Sequence, residues 1–377
     1  MIAWLLACAT ATEAAPTPEE AVPVEAKTQP TGPRGKAGGP RGGGRARGGG
    51  ITVEPDPTIL AREPAEGETP PLHFFYAIHA HMGGEHLPYH DLDMTDLDRT
   101  KAENMLATVE AITETAARYD IKLTVELVAG TAKGLAEYEG EDHVWRRLRE
   151  AGHEIGLHTH KATSLQSTAN VITDATGGPP TVGSGMMAWV NRMQPSAAQG
   201  SIASELGVVG GLGMASASAN FSPADSRNPL ATTCSSIGEG NDMWSVTGNL
   251  LFPWRPSATD PCVHDPNGPV VVVDHVPMSG MLVAGRIQDT LDDTSFGQLT
   301  TWFDNAITYM ELYKPGRPAA WGFVTHLTEY VPGRDASMGP DAEAIAALDR
   351  FFAHVHEQAE AGRVTYATVS EIAAKVP

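Results

Sequence analysis

Length, composition and charge narrow the possible classes of protein. The chain has 377 residues, of which 41% are hydrophobic, so it can bury a sizeable core and global disorder is excluded. The net charge of −20 at pH 7 argues against nucleic acid as the main partner, because phosphate binding requires a basic surface. We therefore expect a globular protein that binds no nucleic acid.

The N-terminus resembles a bacterial lipoprotein signal. Leu5–Cys8 reads Leu-Leu-Ala-Cys, a lipobox-like quartet in which the cysteine would be lipidated. The apolar stretch before it is shorter than the usual ~7–15 residues. We interpret residues 1–8 as the signal and Cys8 as the lipidation site. The protein would then be an extracytoplasmic envelope lipoprotein, in the periplasm or outer membrane, held to the membrane by a lipid anchor. The alternative is a stray apolar N-terminus on a cytoplasmic protein.

Two further cysteines, Cys234 and Cys262, complete the count of three. An oxidising compartment permits a disulfide between them, and no odd thiol would then remain. Residues 9–71 are rich in Ala, Pro, Gly and Arg, with a Gly/Arg tract over Gly32–Gly50. Such a composition cannot offset its ordering entropy by burying apolar surface, so it predicts a disordered linker.

Beyond the linker, apolar strand runs alternate with helical patterns. The region Gly177–Gly268 is rich in loop-forming residues. Capping boxes are predicted at Thr100 with Glu103, Ser295 with Gln298, and Thr368 with Glu371. The predicted elements, in chain order, are strand Leu72–Ile78, helix Asp98–Tyr119, strands Lys122–Val128 and His153–Leu157 separated by helix His143–Ala151, strand Val270–Val273, helix Phe296–Tyr313, strand Trp321–Thr325, helix Asp341–Ala361, strand Arg363–Thr368 and helix Val369–Lys375.

This alternation predicts an α/β fold with a parallel sheet, either a barrel or a doubly wound sheet. In both folds the functional residues follow the carboxyl ends of the strands. Several histidines lie at these positions: His79 and His81, His158 and His160, His275 after Asp274, and His326.

The two His-x-His pairs predict a metal site. Residues i and i+2 of an extended strand point to the same side, so His79 with His81, and His158 with His160, can reach one ion. Imidazole suits zinc and similar divalent metals. The alternative is a metal-free barrel with hydrogen-bonded core histidines.

The segment Ala151–His160, AGHEIGLHTH, resembles the second motif of the polysaccharide deacetylase superfamily, the NodB-like carbohydrate esterases. The resemblance implies a distorted (β/α)7 barrel over residues 72–377, with His158 and His160 as metal ligands. Typical members carry a later histidine where this chain has Ala162. The family's two aspartates after the first strand are also absent, and His79 and His81 stand in their place.

Two further segments are similar to family motifs. FPWRPS, Phe252–Ser257, is similar to the arginine motif, which implies substrate-binding roles for Arg255 and its neighbour Trp254, to which we add His275. WGFVTHLTEY, Trp321–Tyr330, is similar to the strand that carries the catalytic-acid histidine, here His326.

The resulting hypothesis is metal-dependent hydrolysis of an N- or O-acetyl group on a carbohydrate polymer of the cell envelope, with zinc as the expected metal. The base is left open between Glu85, Asp274 and a non-ligating His79. Two alternatives stand beside this hypothesis. A glycoside hydrolase on a related barrel would need two carboxylates ~5–9.5 Å apart. A non-catalytic, metal-stabilised sugar-binding lipoprotein would need no base.

Overall fold

The computed structural model describes residues 66–80, 99–159, 165–184, 210–213, 247, 249–257, 263–277, 291–335 and 337–377. These residues fall within one unit, Arg47–Pro377. Several sequence predictions concern residues outside the described ranges and stay predictions: the signal and lipidation at Cys8, the linker up to residue 65, the Cys234–Cys262 disulfide, and the roles of His81, Glu85 and His160.

The described strands belong to one sheet, and every strand pair in it is parallel. Their order is β6-β5-β4-β3-β2-β1-β8-β7, and β9 pairs with the first residues of β1. The strands are β1 Leu72–Ala80, β2 Leu123–Leu127, β3 Glu154–His158, β4 Val182–Ser184, β5 Gly210–Gly213, β6 Val271–Asp274, β7 Val276–Pro277, β8 Ala320–His326 and β9 Val364–Tyr366.

Helices lie between the strands along the chain. Two short 3-10 turns, Leu327–Tyr330 and Pro332–Arg334, follow β8 directly. The α-helices are α1 Arg99–Ala117, α2 Ala129–Glu139, α3 Val144–Glu150, α4 Leu165–Thr176, α5 Asp293–Tyr313, α6 Ala342–Glu360 and α7 Val369–Ala373. Within the described ranges, no helix is long and apolar enough to cross a membrane.

The sheet curls until its two edges meet. Strands β6 and β7 lie at opposite ends of the strand order, yet only His275 separates them in the chain. β6 pairs with β5, and after one residue β7 pairs with β8. The stretch 271–277 therefore works as one strand that changes partner, which closes a distorted barrel and confirms the predicted fold class.

A short antiparallel segment, Leu251–Trp254, lies between β6 and β8 where the barrel closes. Trp254 and Val272 exchange both backbone hydrogen bonds, at 3.1 and 2.7 Å. On the other side, the N–H of Ala320 donates to the carbonyl of Leu251 at 2.7 Å. Leu251–Trp254 thus satisfies backbone groups that β6 and β8 would otherwise leave open, because those strands diverge at this level.

Alternate residues of each strand face two separate cores, as the period of 2 requires. The outward faces of the strands pack against the helices, and Phe74, Trp321 and Phe323 are among the large buried side chains of that layer. The inward faces form a smaller core with α7. Its members are Phe75, Ala77, Val182, Val271, Val273, Ala320, Val324, Ala367, Val369, Ile372, Ala373 and Val376.

Helix α7 fills the barrel from the end opposite the strand C-termini. Glu154, the first residue of β3, accepts hydrogen bonds from the backbone N–H groups of Val369 and Ser370 and from the hydroxyls of Thr124 and Thr181. An acidic side chain suits the N-terminus of a helix, where N–H groups lack partners. The capping box predicted at Thr368 and Glu371 is confirmed at this helix.

Most of the predicted elements are present within a few residues, but two predicted caps are wrong. Thr100 lies inside α1, where Glu103 instead pairs with Arg99. Helix α5 begins three residues earlier than a Ser295 cap would allow, and Asp292 is its N-cap. Helices α2 and α4 were not predicted. Their sequences contain Gly, Ser, Thr and Asn, which have low helix propensity, and tertiary packing stabilises them instead.

Candidate metal centre

Inward-facing polar side chains gather at the carboxyl end of the barrel. His79 stands opposite both Glu126 of β2 and His326 of β8 in the strand registers, and His158 of β3 stands opposite Ser184 of β4. His79, Ser184 and His326 each lie two residues beyond an inward-facing core residue of their own strand. The parallel sheet therefore brings together side chains that are far apart in sequence.

Hydrogen bonds join four of these side chains into one cluster. The Nε2 atom of His79 lies 2.8 Å from Oε2 of Glu126 and 3.0 Å from Oγ of Ser184. The same Oγ lies 2.8 Å from Nδ1 of His158 and is hydrogen-bonded to Glu126. The imidazole rings of His79 and His158 are 4.1 Å apart between centroids.

Three of the four residues offer ligand atoms for a metal ion. One ligand atom from each of His79, Glu126 and His158 lies within 4.8 Å of the other two, and all three residues are buried. Two imidazole nitrogens and one carboxylate oxygen form a donor set that zinc accepts. A second observation also fits a divalent cation: Oε1 of Glu126 is buried and has no hydrogen-bond partner among the described residues.

Burial dominates the electrostatics of the carboxylate. Desolvation raises the pKa of Glu126 well above its usual range, and the nearby Glu154 raises it further, while the hydrogen bond from Ser184 acts in the opposite direction. A buried carboxylate normally needs a partner of opposite charge. A bound cation would provide that charge.

Gly156 in the middle of β3 makes room for Glu126. A Cβ atom at this position would lie 2.7 Å from Cγ2 of Val182 and 3.0 Å from Cγ of Glu126. Real Cβ contacts are almost never shorter than 3.0 Å, so any larger residue would displace the glutamate or β4. The second glycine of the GHEIG segment thus has a packing reason.

His326 borders the cluster from β8. Its ring centroid lies 5.1 Å from that of His79, and its Nδ1 lies 3.1 Å from Oε1 of Glu329. The backbone N–H of His326 donates to Oε2 of the same carboxylate at 3.1 Å. Glu329 therefore holds both the ring and the backbone of His326, and it is itself buried.

Asp274 and His275 lie at the β6–β7 junction and are both buried. The carboxylate of Asp274 accepts the N–H of Leu250 at 2.6 Å. Burial lowers the pKa of His275 to about 4, with a further contribution from the nearby His326. Nδ1 of His275 is buried and has no hydrogen-bond partner among the described residues.

Arg255 and Trp254 have contacts that explain them without a substrate. Nη1 of Arg255 donates to the carbonyl of Gly268, and Nε and Nη2 donate to the carbonyls of Pro377 and Val376 beyond α7. Trp254 is a core residue with 1% of its surface exposed. These placements support structural roles and lend no support to the predicted substrate-binding roles.

Sequence reasoning missed Glu126, Ser184 and Glu329. Glu126 had a usable signal, since it is the one carboxylate within the apolar strand run Lys122–Val128. A charged residue in a buried strand is rare unless it is paired or binds a metal. Ser184 lies in a strand of three residues within a loop-rich region, and Glu329 lies in a 3-10 turn. Neither has a local pattern that predicts its contacts.

No protein-family model and no curated protein matches the sequence. Solved structures do match. A probable polysaccharide deacetylase from Pseudomonas aeruginosa PAO1 is 13% identical, with a TM-score of 0.48 over 81% of this chain and 90% of that one. The Puue allantoinase is 15% identical, with a TM-score of 0.45 over 83% and 92%.

A GH57-type branching enzyme from Pyrococcus horikoshii also matches, at 10% identity and a TM-score of 0.43 over 79% of this chain and 69% of that one. Further structures described as polysaccharide deacetylases, from Mycobacterium smegmatis and Bacillus cereus, are among the matches.

Proposed function

We propose that this protein is a metal-dependent hydrolase that removes an acyl group, N- or O-acetyl, from a carbohydrate. The observation that carries the proposal is the buried cluster of His79, Glu126 and His158 at the carboxyl end of the barrel, with His326 beside it. Metal ligands and a separate proton carrier are the two parts that such a hydrolysis needs.

The residues that would hold the ion are His79, Glu126 and His158, and zinc suits their two nitrogens and one oxygen. His81 and His160, as the partners of the two His-x-His pairs, are further candidate ligands from the sequence. A divalent ion bound by these residues would supply Lewis acidity, which polarises an acyl carbonyl and lowers the pKa of a bound water molecule. The barrel contributes a rigid frame, because each ligand sits on a strand.

His326 is the proposed general acid. Its Nδ1 faces Glu329, and a carboxylate only accepts hydrogen bonds, so the Nδ1 position carries a proton. Proton exchange with a substrate then takes place at Nε2. The imidazole can deliver a proton from that atom to the leaving amine or alkoxide while Glu329 keeps the ring oriented.

The proposed bases are Glu85, Asp274 and His79. Asp274 is buried and already uses one oxygen to bind the backbone N–H of Leu250, which fixes the carboxylate in place. Nε2 of His79 lies next to Glu126, another candidate ligand, which favours His79 as a ligand rather than a base. His275 is held neutral near His326 by its lowered pKa, so it can serve as a hydrogen-bonding group for a substrate but not as a cation near neutral pH.

The biological setting is part of the proposal and is supported by sequence alone. A lipid anchor at Cys8 would tether the enzyme to a bacterial membrane and place it in the cell envelope, and the proposed substrate is an acetylated carbohydrate polymer of that envelope. No nucleic acid is expected among its partners because of its negative charge.

The test combines metal analysis with product detection on the full chain. We expect about one equivalent of zinc after loading and dialysis, and acetate release from acetylated sugar polymers that stops when a chelator removes the metal. His158→Ala should lose both, while His354→Ala should keep both, because His354 lies on α6 and binds Asp304. Stoichiometric zinc in the His158→Ala variant, or acetate release unaffected by the chelator, would overturn the proposal.

A further inference from the structure

Ser184 has no assigned role, yet it touches every member of the candidate metal centre. Its Oγ is within hydrogen-bond distance of His79, His158 and Glu126 at once. We propose that Ser184 is a positioning residue that fixes the tautomer of His158, with the proton on Nδ1, and thereby turns the Nε2 lone pair of that ring to the metal. The proposal rests on the metal-dependent function argued above.

Counting protons supports this assignment. A serine hydroxyl has one proton to donate and two lone pairs that accept. A cation bound beside Glu126 would keep this buried carboxyl group ionised, and an ionised carboxylate only accepts, so the hydroxyl proton of Ser184 goes to Glu126. Oγ is then left to accept, and the Nδ1 of His158, 2.8 Å away, must supply an N–H. A neutral imidazole carries one N–H, which leaves its lone pair on Nε2.

The hydroxyl is held firmly enough to impose this choice. Ser184 ends β4, pairs with His158 in the strand register and is buried, with 3% of its surface exposed. The N–H of Thr159 donates to the carbonyl of Ser184 at 3.2 Å, which ties the two strands together immediately beyond His158. Histidines that bind metals characteristically donate their other ring N–H to an acceptor oxygen, of a carboxylate, a backbone carbonyl or a water molecule, and Oγ of Ser184 has that position at His158.

A nucleophilic role for Ser184 fits the contacts less well. In a Ser-His-carboxylate triad the serine and the carboxylate face opposite nitrogens of one imidazole. At His79, Ser184 and Glu126 both face Nε2. The serine also donates to the carboxylate itself, which leaves its proton unavailable to a histidine base.

The experiment measures zinc affinity and histidine tautomers in the full chain. Ser184→Ala and Ser184→Thr are compared with the wild type by competition against a chromophoric zinc chelator. The zinc-loaded proteins are labelled with ¹⁵N-histidine, and long-range ¹H–¹⁵N spectra report which ring nitrogen of His158 carries the proton. The His158 signals are assigned from their loss in His158→Ala.

We expect Ser184→Ala to bind zinc about 10–100-fold more weakly, the usual cost of losing the oxygen behind a ligating histidine. The Nδ1–H form of His158 should predominate in the wild type and in Ser184→Thr, which keeps the hydroxyl, but not in Ser184→Ala. Equal or tighter zinc binding by Ser184→Ala, or an unchanged tautomer, would overturn the inference. A wild type that binds no zinc would instead count against the proposed function.

Thr124→Val is the matched control. Thr124 also carries a buried hydroxyl that donates to a buried carboxylate, Glu154, at 2.8 Å, but it lies toward the α7 end of the barrel. This variant should lose stability without any change in zinc affinity or in the tautomer of His158. A zinc affinity lowered as much as in Ser184→Ala would show that loss of any buried hydroxyl suffices, and the specific role of Ser184 would be rejected.

Discussion

Glu329 holds His326 by two hydrogen bonds, one from the ring Nδ1 and one from the backbone N–H, each 3.1 Å long. The two residues are three positions apart, and the 3-10 turn Leu327–Tyr330 places the carboxylate back over the end of β8. The ring of His326 is thus oriented by a residue of its own strand-turn segment, and that residue is not a member of the candidate metal centre on β1, β2 and β3.

This separation leads to the first prediction. Glu329→Gln should reduce acetate release by about 100-fold, because an amide can present its NH2 group to Nδ1 and so favour the wrong tautomer of His326. Zinc content should stay at the wild-type level, since no ligand is changed. Activity assays and metal analysis on the same preparation check both statements, and loss of zinc together with activity would contradict the separation of the two units.

A second prediction concerns the glycine between Glu154 and His158 on β3. Gly156→Ala should lower the free energy of unfolding by about 1–3 kcal/mol, because the added methyl group overlaps Val182 and Glu126. It should also weaken zinc binding, since the side chain that yields most easily is that of Glu126. Chemical denaturation and zinc titration measure the two effects.

Gly297→Ala is the control for this substitution. Gly297 lies in α5, where a Cβ meets no atom within 4 Å, so alanine should raise the free energy of unfolding by about 0.5–1 kcal/mol. Zinc affinity should not change. If Gly156→Ala were as well tolerated as Gly297→Ala, the close packing of β3 against Glu126 would not be needed.

The strand-end histidines could be predicted because their signal is local. His79 and His158 each follow an apolar run, and the period of 2 fixes the side of the strand on which they lie. Ser184 could not be predicted in the same way, because its contacts depend on the register between β3 and β4 across 26 residues of sequence. Glu126 is an intermediate case, because the apolar strand run around it predicts its burial but does not identify the residues that it contacts.

The barrel was predictable in class but not in its closure. Alternating strands and helices indicate parallel pairing, and the run at Val270–Val273 was recognised as a strand. This strand changes partner at His275, and Leu251–Trp254 lies between β6 and β8. Both features depend on the position of β8 in the folded sheet. Sequence periodicity describes one strand at a time and contains no information on such a switch.

His275 leads to a prediction on acid stability. Burial lowers its pKa to about 4 in the folded protein, below the value near 6.5 of an exposed histidine. The unfolded chain therefore binds the proton more tightly, so the stability contributed by neutral His275 is complete above pH ~6.5 and is lost as the pH falls toward 4. The shift corresponds to about 3 kcal/mol over that range.

His275→Gln should remove this share of the acid sensitivity. The free energy of unfolding of the wild type minus that of the variant, measured by denaturation at several pH values, should fall by about 3 kcal/mol between pH 7 and pH 4. His153, whose pKa burial also lowers to about 4, is unchanged in both proteins and cancels. A difference independent of pH would mean that His275 titrates normally.

The last prediction separates metal binding from stability at Glu126. Glu126→Gln should weaken zinc binding by about 100-fold or more, because the variant lacks the one carboxylate of the cluster and a charged oxygen ligand is replaced by a neutral one. The metal-free protein, however, should melt no lower than the metal-free wild type. Burying a carboxylate without a counter-charge is unfavourable, and the raised pKa of Glu126 expresses this cost. Thermal melts with and without zinc test both parts: zinc should raise the melting temperature of the wild type and leave that of Glu126→Gln nearly unchanged. A variant that melts well below the metal-free wild type would show that Glu126 serves the packing of the barrel rather than a cation.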